Sequence, residues 1–309
     1  MVTHHIAIIG LGLVGRTYAH AMANEPYVGC MSLVDVVPGL AEALRLELLI
    51  SAHAKGRDLE VNALRSIDEL DEVDLVLVSA GSPRKPHMDR RDLAAVNARV
   101  IKGIAESLAK TNQESHILVV TNPVDAMAWL LKEVGDFPYA ISSGTLVDSV
   151  RLKLWLSEQL GVSPAEVSTL VVGEHGEKLV PVFSQTKVGE KPLNEFLAER
   201  GEEISIEDAR KAVSNMAREV ISKLGGTSIG PVGCFREITK ALLLNESREL
   251  TVGSFLEVDG IRCFANWVFS LGRKSIKPRS LVLNDVEKSL FWEAVDSIRE
   301  TYQQALSSI

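Results

Sequence analysis

Ile6-Ala7-Ile8-Ile9-Gly10-Leu11-Gly12-Leu13-Val14-Gly15 decides the fold. Four apolar residues in a row, closed by glycine, read as a strand covered on both faces. Gly10-x-Gly12-x-x-Gly15 then turns the chain into a helix predicted from Val14 to Asn24. In such a turn Gly10 permits the tight bend, Gly12 lets backbone approach a pyrophosphate, and Gly15 allows helix and strand to pack closely. The helix N-terminus offers unpaired N–H groups to phosphate. Asp35 closes a second predicted strand, Met31 to Val34, 20 residues past Gly15, where an acid can hydrogen-bond a ribose diol. A structural turn with a capping Asp would use some of these residues; the four together in this context favour a dinucleotide site.

The pattern repeats outward. A helix is predicted at Leu40–His53, strands at Leu59–Leu64 and Val73–Val78, a helix at Ala94–Ala109, a strand at Ile117–Val120 and a helix at Ala126–Val134. Alternation of this kind means an α/β, doubly wound parallel (Rossmann) sheet with right-handed crossovers. After about Gly144 the alternation stops. A helix is predicted at Val147–Leu160, strands between Leu170 and Ser184, a turn at Val188–Pro192, and helices at Glu207–Leu224 and from Asn284 onward. Residues 1–144 are therefore expected to form a dinucleotide-binding domain and 145–309 a second, α+β substrate lobe.

Composition narrows the function classes. The formal net charge is −8 over 309 residues, which argues against a nucleic-acid partner, because phosphate-backbone binding needs a basic face. Cys30, Cys234 and Cys263 are too widely spaced for a disulfide framework or a Cys-x-x-Cys site, so no metal is expected and a cytoplasmic location is. No secretory leader and no membrane-length apolar run is expected. An acid at Asp35 repels a 2′-phosphate, and Val36-Val37-Pro38 supplies no cation to hold one, so NAD is expected over NADP.

The chemistry is expected beyond the strand Val73–Val78, which ends in Ala80-Gly81. Loops at the C-terminal ends of parallel strands are where such sheets bind ligands. Five of the eight residues from Arg84 to Arg91 are Arg, Lys or His, in an acidic protein. Arginines there suit a carboxylate or phosphate held by forked hydrogen bonds, although a solvated basic loop would have the same composition. Asp148 and Arg151 share a helix face at i, i+3. His175 ends a strand between Gly173 and Gly176, and a His paired with a carboxylate has a fixed tautomer and a raised pKa suited to proton exchange.

Together these residues resemble the lactate/malate dehydrogenase family. Gly10-x-Gly12-x-x-Gly15, Asp35, Arg84-Lys85-Pro86 with Arg90, Thr121-Asn122-Pro123, Asp148-Ser149-x-Arg151 and Gly173-Glu174-His175-Gly176 follow its order and spacing over nearly the whole chain, most like its lactate-dehydrogenase-like malate dehydrogenases. The resemblance implies NAD-dependent, reversible conversion of malate to oxaloacetate, the tricarboxylic acid cycle reaction. It implies His175 as the acid/base, Asp148 as the group orienting it, Arg151 on the C1 carboxylate, and Arg90 polarising the carbonyl. Asn122 would contact substrate and cofactor, next to a bond to Pro123 that is cis in the family, and Thr227 would line the substrate pocket. Leu13, Val14, Ala80, Gly81, Asn97 and Val120 join Gly10, Gly12, Gly15, Asp35 and Asn122 around the cofactor. Arg84 would select a dicarboxylate, since enclosing its charge without an anion costs several kcal/mol.

Three features depart from the family. His87 stands where glycine is common, Pro231 and Cys234 lie in the pocket wall, and the pair Lys153 and Ser168 supplies only half of an inter-subunit anion site. The resemblance also implies a homodimer or homotetramer, with helices such as Leu40–His53 packing across a two-fold axis. A lactate or broad 2-hydroxy-acid dehydrogenase is the alternative, opposed by Arg84; a non-catalytic NAD-binding protein is the remote one. A tyrosine-based reductase is discounted because none of Tyr18, Tyr27, Tyr139 or Tyr302 has a Lys four residues later.

Overall fold

The computed structural model describes residues 3–82 and 90–309, without the side chains of residues 90–92. Strands β1 (His4–Ile9), β2 (Val28–Val34), β3 (Glu60–Leu64), β4 (Leu75–Val78), β5 (His116–Val119) and β6 (Ala140–Ser142) pair in parallel, in the spatial order β3-β2-β1-β4-β5-β6. Helices α1 (Leu13–Met22), α2 (Leu40–His53), α3 (Arg90–Leu108) and α4 (Val124–Gly135) make the crossovers. Every side chain of β4 is inaccessible to solvent, as are Ile117, Leu118 and Val119 of β5. Burial on both faces is why these strands read as unbroken apolar runs rather than alternating ones.

Strand order reverses between β1 and β4. That reversal opens a crevice beyond the strand ends, lined by the loops that follow both. The two loops touch. A Cβ on Gly10, whose φ is +91°, would lie 2.4 Å from the Ala80 nitrogen, so only glycine fits there.

The remainder comprises α5 (Leu146–Leu160), β7 (Val167–Ser168), β8 (Val171–Gly173), β9 (Leu179–Pro181), β10 (Lys187–Val188), β11 (Lys191–Pro192), α6 (Leu193–Arg200), α7 (Ile206–Leu224), α8 (Ile229–Leu244), β12 (Arg248–Val258), β13 (Ile261–Gly272), β14 (Ser275–Pro278) and α9 (Asp285–Ser307). The turn expected at Val188–Pro192 joins β10 to β11. β12 and β13 form a long antiparallel hairpin. β12 also pairs with β6, Gly253 opposite Ser142, which makes one continuous sheet of the two halves. A side chain at Gly253 would strike the Ser142 hydroxyl at 2.1 Å and the Asn266 amide at 2.6 Å, so glycine is what lets the halves meet.

Elements α6, α8 and the β12–β13 hairpin were not expected from sequence. Gly230, Pro231 and Gly233 dilute helix propensity at the start of α8. Asp259-Gly260, at φ 52° and 78°, is a two-residue hairpin turn and was the available signal for β12–β13. The main core runs from β1 and β4 through β12, β13 and α9. The Tyr18 hydroxyl and Thr239 hydroxyl, 2.7 Å apart in that core, tie α1 to α8. Among the described residues no helix is long and apolar enough to cross a membrane.

Candidate active site

The glycine turn leaves a cradle at the N-terminus of α1. A Cβ on Gly15 would fall 2.0 Å from the Gly10 carbonyl oxygen, so that glycine is demanded by packing. Gly12 is different: a Cβ there would meet no protein atom within 4 Å. Packing inside the chain does not demand glycine at this position, and the space beside it is open. Asp35 lies at the end of β2 with its carboxylate held by two backbone donors. The Leu11 N–H donates to Oδ2 at 2.6 Å and the Val37 N–H to Oδ1 at 2.9 Å. The acid thus braces the glycine turn while remaining partly exposed. Bare helix N-terminus, open glycine and anchored acid together fit the pyrophosphate and ribose of a dinucleotide.

Leu13, at the start of α1, is exposed, and Val14 beside it is half-buried. Across the crevice, Ala80 and Gly81 follow β4, and Val120 follows β5. Asn97 of α3 is 1 % exposed and is committed to backbone. Its Oδ1 accepts the Ser82 N–H at 2.7 Å and its Nδ2 donates to the Asn122 carbonyl at 2.6 Å. It bolts the β4 loop to the β5 loop. Asn122 itself is exposed and the peptide bond to Pro123 is cis.

His175 follows β8. Its Nδ1 lies 2.5 Å from Asp148 Oδ2, and the other oxygen of Asp148 accepts Arg151 Nη1 at 3.2 Å. Asp148 and Arg151 project from the first two turns of α5. The Asp148 side chain is only 4 % exposed, against 25 % for His175 and 17 % for Arg151. Burial alone would lower the imidazole pKa. The Asp148 charge and its ring hydrogen bond, joined by the charge of Asp125, outweigh burial and the opposing Arg151, so the pKa is raised. With Nδ1 committed to Asp148, Nε2 is the ring atom left for an external oxygen.

Arg151 lines a cleft of 870 Å³ with Leu13, Val147, Thr227, Pro231 and Cys234. Thr227 therefore shares this cleft with Arg151. Burial pushes the Cys234 thiol up to about 11, which keeps it protonated and unreactive near neutrality. Arg84 and His87 lie outside the described residues. Arg90 begins α3, and its side chain lies outside the description as well.

Sequence reasoning missed Asp125. This first-turn acid of α4 is 4 % exposed and accepts the backbone N–H of His175 at 2.8 Å. From sequence it reads as an ordinary acid at a helix start. Its position three residues after Asn122, in a run of apolar neighbours, was the only hint.

Comparison with known proteins finds relatives for both halves of the chain. Residues 4–142 match the lactate/malate dehydrogenase NAD binding domain, and residues 145–308 the alpha/beta C-terminal domain of the same family. A malate dehydrogenase of Sulfolobus acidocaldarius is 31% identical over 98% of this chain and 97% of its own. An L-lactate dehydrogenase of Limosilactobacillus reuteri is 33% identical over 82% of this chain and 78% of its own. The crystal structure of Cryptosporidium parvum malate dehydrogenase superposes with a TM-score of 0.91 at 28% identity, covering 99% of this chain and 100% of that one.

Proposed function

The chain belongs to the lactate/malate dehydrogenase family, and from that premise we propose that it is an NAD-dependent malate dehydrogenase that interconverts malate and oxaloacetate. The observation carrying the reading is the buried carboxylate of Asp148, which holds His175 Nδ1 on one oxygen and Arg151 on the other. One acid thereby fixes the distance between a proton donor and an anion grip.

NAD would be held by Gly10, Gly12, Gly15 and Asp35, with Leu13, Val14, Ala80, Gly81, Val120 and Asn122 around it and Asn97 setting the loops. When bound, it supplies the two-electron acceptor or donor chemistry at substrate C2. His175 Nε2 gives a proton to the C2 oxygen in reduction and takes it back in oxidation. Asp148 keeps the imidazole in one tautomer and stabilises its charged form. Arg151 takes the C1 carboxylate through the fork atoms that Asp148 leaves free. Arg90 favours negative charge developing on the C2 oxygen, and Arg84 pairs with the second carboxylate of the dicarboxylate.

Residues 1–144 are read as the dinucleotide domain and 145–309 as the substrate domain; the two family matches, 4–142 and 145–308, support that division. A homodimer or homotetramer is part of the reading. Leu46 and Ile50 of α2 are 57% and 66% exposed, which supports α2 as a buried interface helix. A cytoplasmic setting is supported by three cysteines without disulfides.

The test is loss of NADH absorbance on adding oxaloacetate and then pyruvate. Fast loss with oxaloacetate alone is expected. Comparable rates with both would favour a broad 2-hydroxy-acid dehydrogenase, and a flat trace with both would leave a dinucleotide-binding protein.

A further inference from the structure

We propose that Asp125 is a positioning residue for this reaction, a second carboxylate whose negative charge, pinned to the main chain of His175 while Asp148 grips its ring, favours the charged imidazole. The inference rests on His175 being the group that exchanges the proton.

Asp125 Oδ2 accepts the His175 N–H at 2.8 Å and Asn266 Nδ2 at 2.9 Å; its Oδ1 faces the Ser142 hydroxyl at 2.9 Å. Asn266 stands on β13, and its Nδ2 also donates to the Gly173 carbonyl at 2.9 Å, two residues before His175. Ser142 belongs to β6, the strand that β12 joins to the second half. One carboxylate from α4 therefore fixes the His175 loop to the first half of the chain, three residues from Asn122. Substrate contact and proton donor are set on a common anchor.

A buried charge is costly unless fully paired, and a neutral amide could make the same contacts more cheaply. The group that gains from the charge is the imidazole. Among the described residues, the charged groups acting on it are Asp148 and Arg151 from α5 and Asp125 from α4. Glu174, next along the chain, is engaged with the Lys178 N–H and the Ser297 hydroxyl. Burial pushes the Asp125 carboxyl up, opposed by the His175 N–H, the His175 charge and Ser142, with Glu174 adding to the rise.

The network separates charge from geometry. In Asp125→Asn the amide oxygen can take the place of Oδ2 and accept both N–H groups. The new NH₂ then donates to the Ser142 oxygen, whose hydrogen turns to Asn266 Oδ1, 3.2 Å away. Every contact survives and only the charge is lost. Asp125→Ala removes both.

The experiment follows the His175 ring by NMR in cofactor-free protein across the neutral-to-alkaline range, assigning it by its absence in His175→Gln. It also follows kcat/KM for oxaloacetate reduction against pH. Asp125→Asn should fold normally and shift both the ring titration and the falling limb downward by about half to one pH unit, since an opposite charge nearby favours the imidazolium. Asp125→Ala should lose kcat by roughly ten- to a hundredfold, as a misplaced reacting group does, with the KM values little changed. Asp125→Asn curves that superimpose on the parent would overturn the proposal, and they decide it even if Asp125→Ala does not fold. Parental turnover in His175→Gln would instead sink the reading of His175 itself.

Discussion

Asp148→Asn removes one oxygen's charge and changes little else in volume, so its consequences can be worked from the geometry. The replaced group is 4 % exposed and serves two cations at once. Removing one partner of a buried pair costs about 3–5 kcal/mol, and the quarter of the imidazole open to water places this case at the lower end. The amide also blurs the tautomer, because either end can face Nδ1. The same change behind the histidine of a serine-protease triad lowers turnover about 10⁴-fold. Asp148 has the added task of spacing Arg151, and a loss of about 10³-fold at neutral pH, or ~4 kcal/mol in activation free energy, is expected. The pH dependence has a definite sign. His175 is raised above its ordinary value by Asp148 against the pull of burial. In the variant burial and Arg151 both lower the pKa and only the weaker charge of Asp125 opposes them, so it falls. Reduction needs the protonated ring, so its falling limb moves to lower pH. Stability follows by linkage: a raised histidine stabilises the fold below its unfolded pKa of about 6.5 and loses that as pH rises through the folded value. The gap in Tm between parent and variant should be widest on the acid side and narrow above neutrality. Stopped-flow NADH oxidation, a pH series and thermal melts read all three quantities. Turnover within about fivefold of the parent, with an unmoved pH limb, would refute the assignment of Asp148 as the group that orients His175, since even a single lost charge-assisted hydrogen bond exceeds that.

Asp35→Ala should raise the KM for NADH about tenfold and lower Tm, because the acid also braces Leu11 and Val37; unchanged NADH titration would count against it as the ribose contact. Asn97→Ala unbolts Ser82 from Asn122 and should cost ~2 kcal/mol of stability for the two buried hydrogen bonds, read by urea melts, with weaker binding of both ligands by fluorescence. Arg84→Gln should erode the preference for oxaloacetate over pyruvate by a large factor, of order 10² or more, as sites built around a polar substrate group do, read as a ratio of kcat/KM values. His87→Gly is expected to leave the pH–rate profile unchanged, and a displaced limb would assign that imidazole a part in substrate binding.

How much was legible beforehand depended on the range of the interaction. Ile6 to Gly15, Asp35 and the repeated apolar runs determined the parallel sheet and the dinucleotide crevice, because a strand buried on both faces, a tight turn and a helix start are local events written in adjacent residues. The His175, Asp148 and Arg151 set was visible for a related reason: a His between glycines and an Asp–Arg pair at i, i+3 carry their chemistry in short spacing. Sequence by itself left Asp125 as one more helix-start acid and Asn97 as a cofactor contact. Only the tertiary structure brought Asp125 against a backbone N–H fifty positions later and enclosed it with Asn266 and Ser142. Only it spent the Asn97 amide on two loops. The physical reason is shared: burial and hydrogen-bond partners arise from strand order, and the seam where Gly253 meets Ser142 joins segments that no local spacing relates.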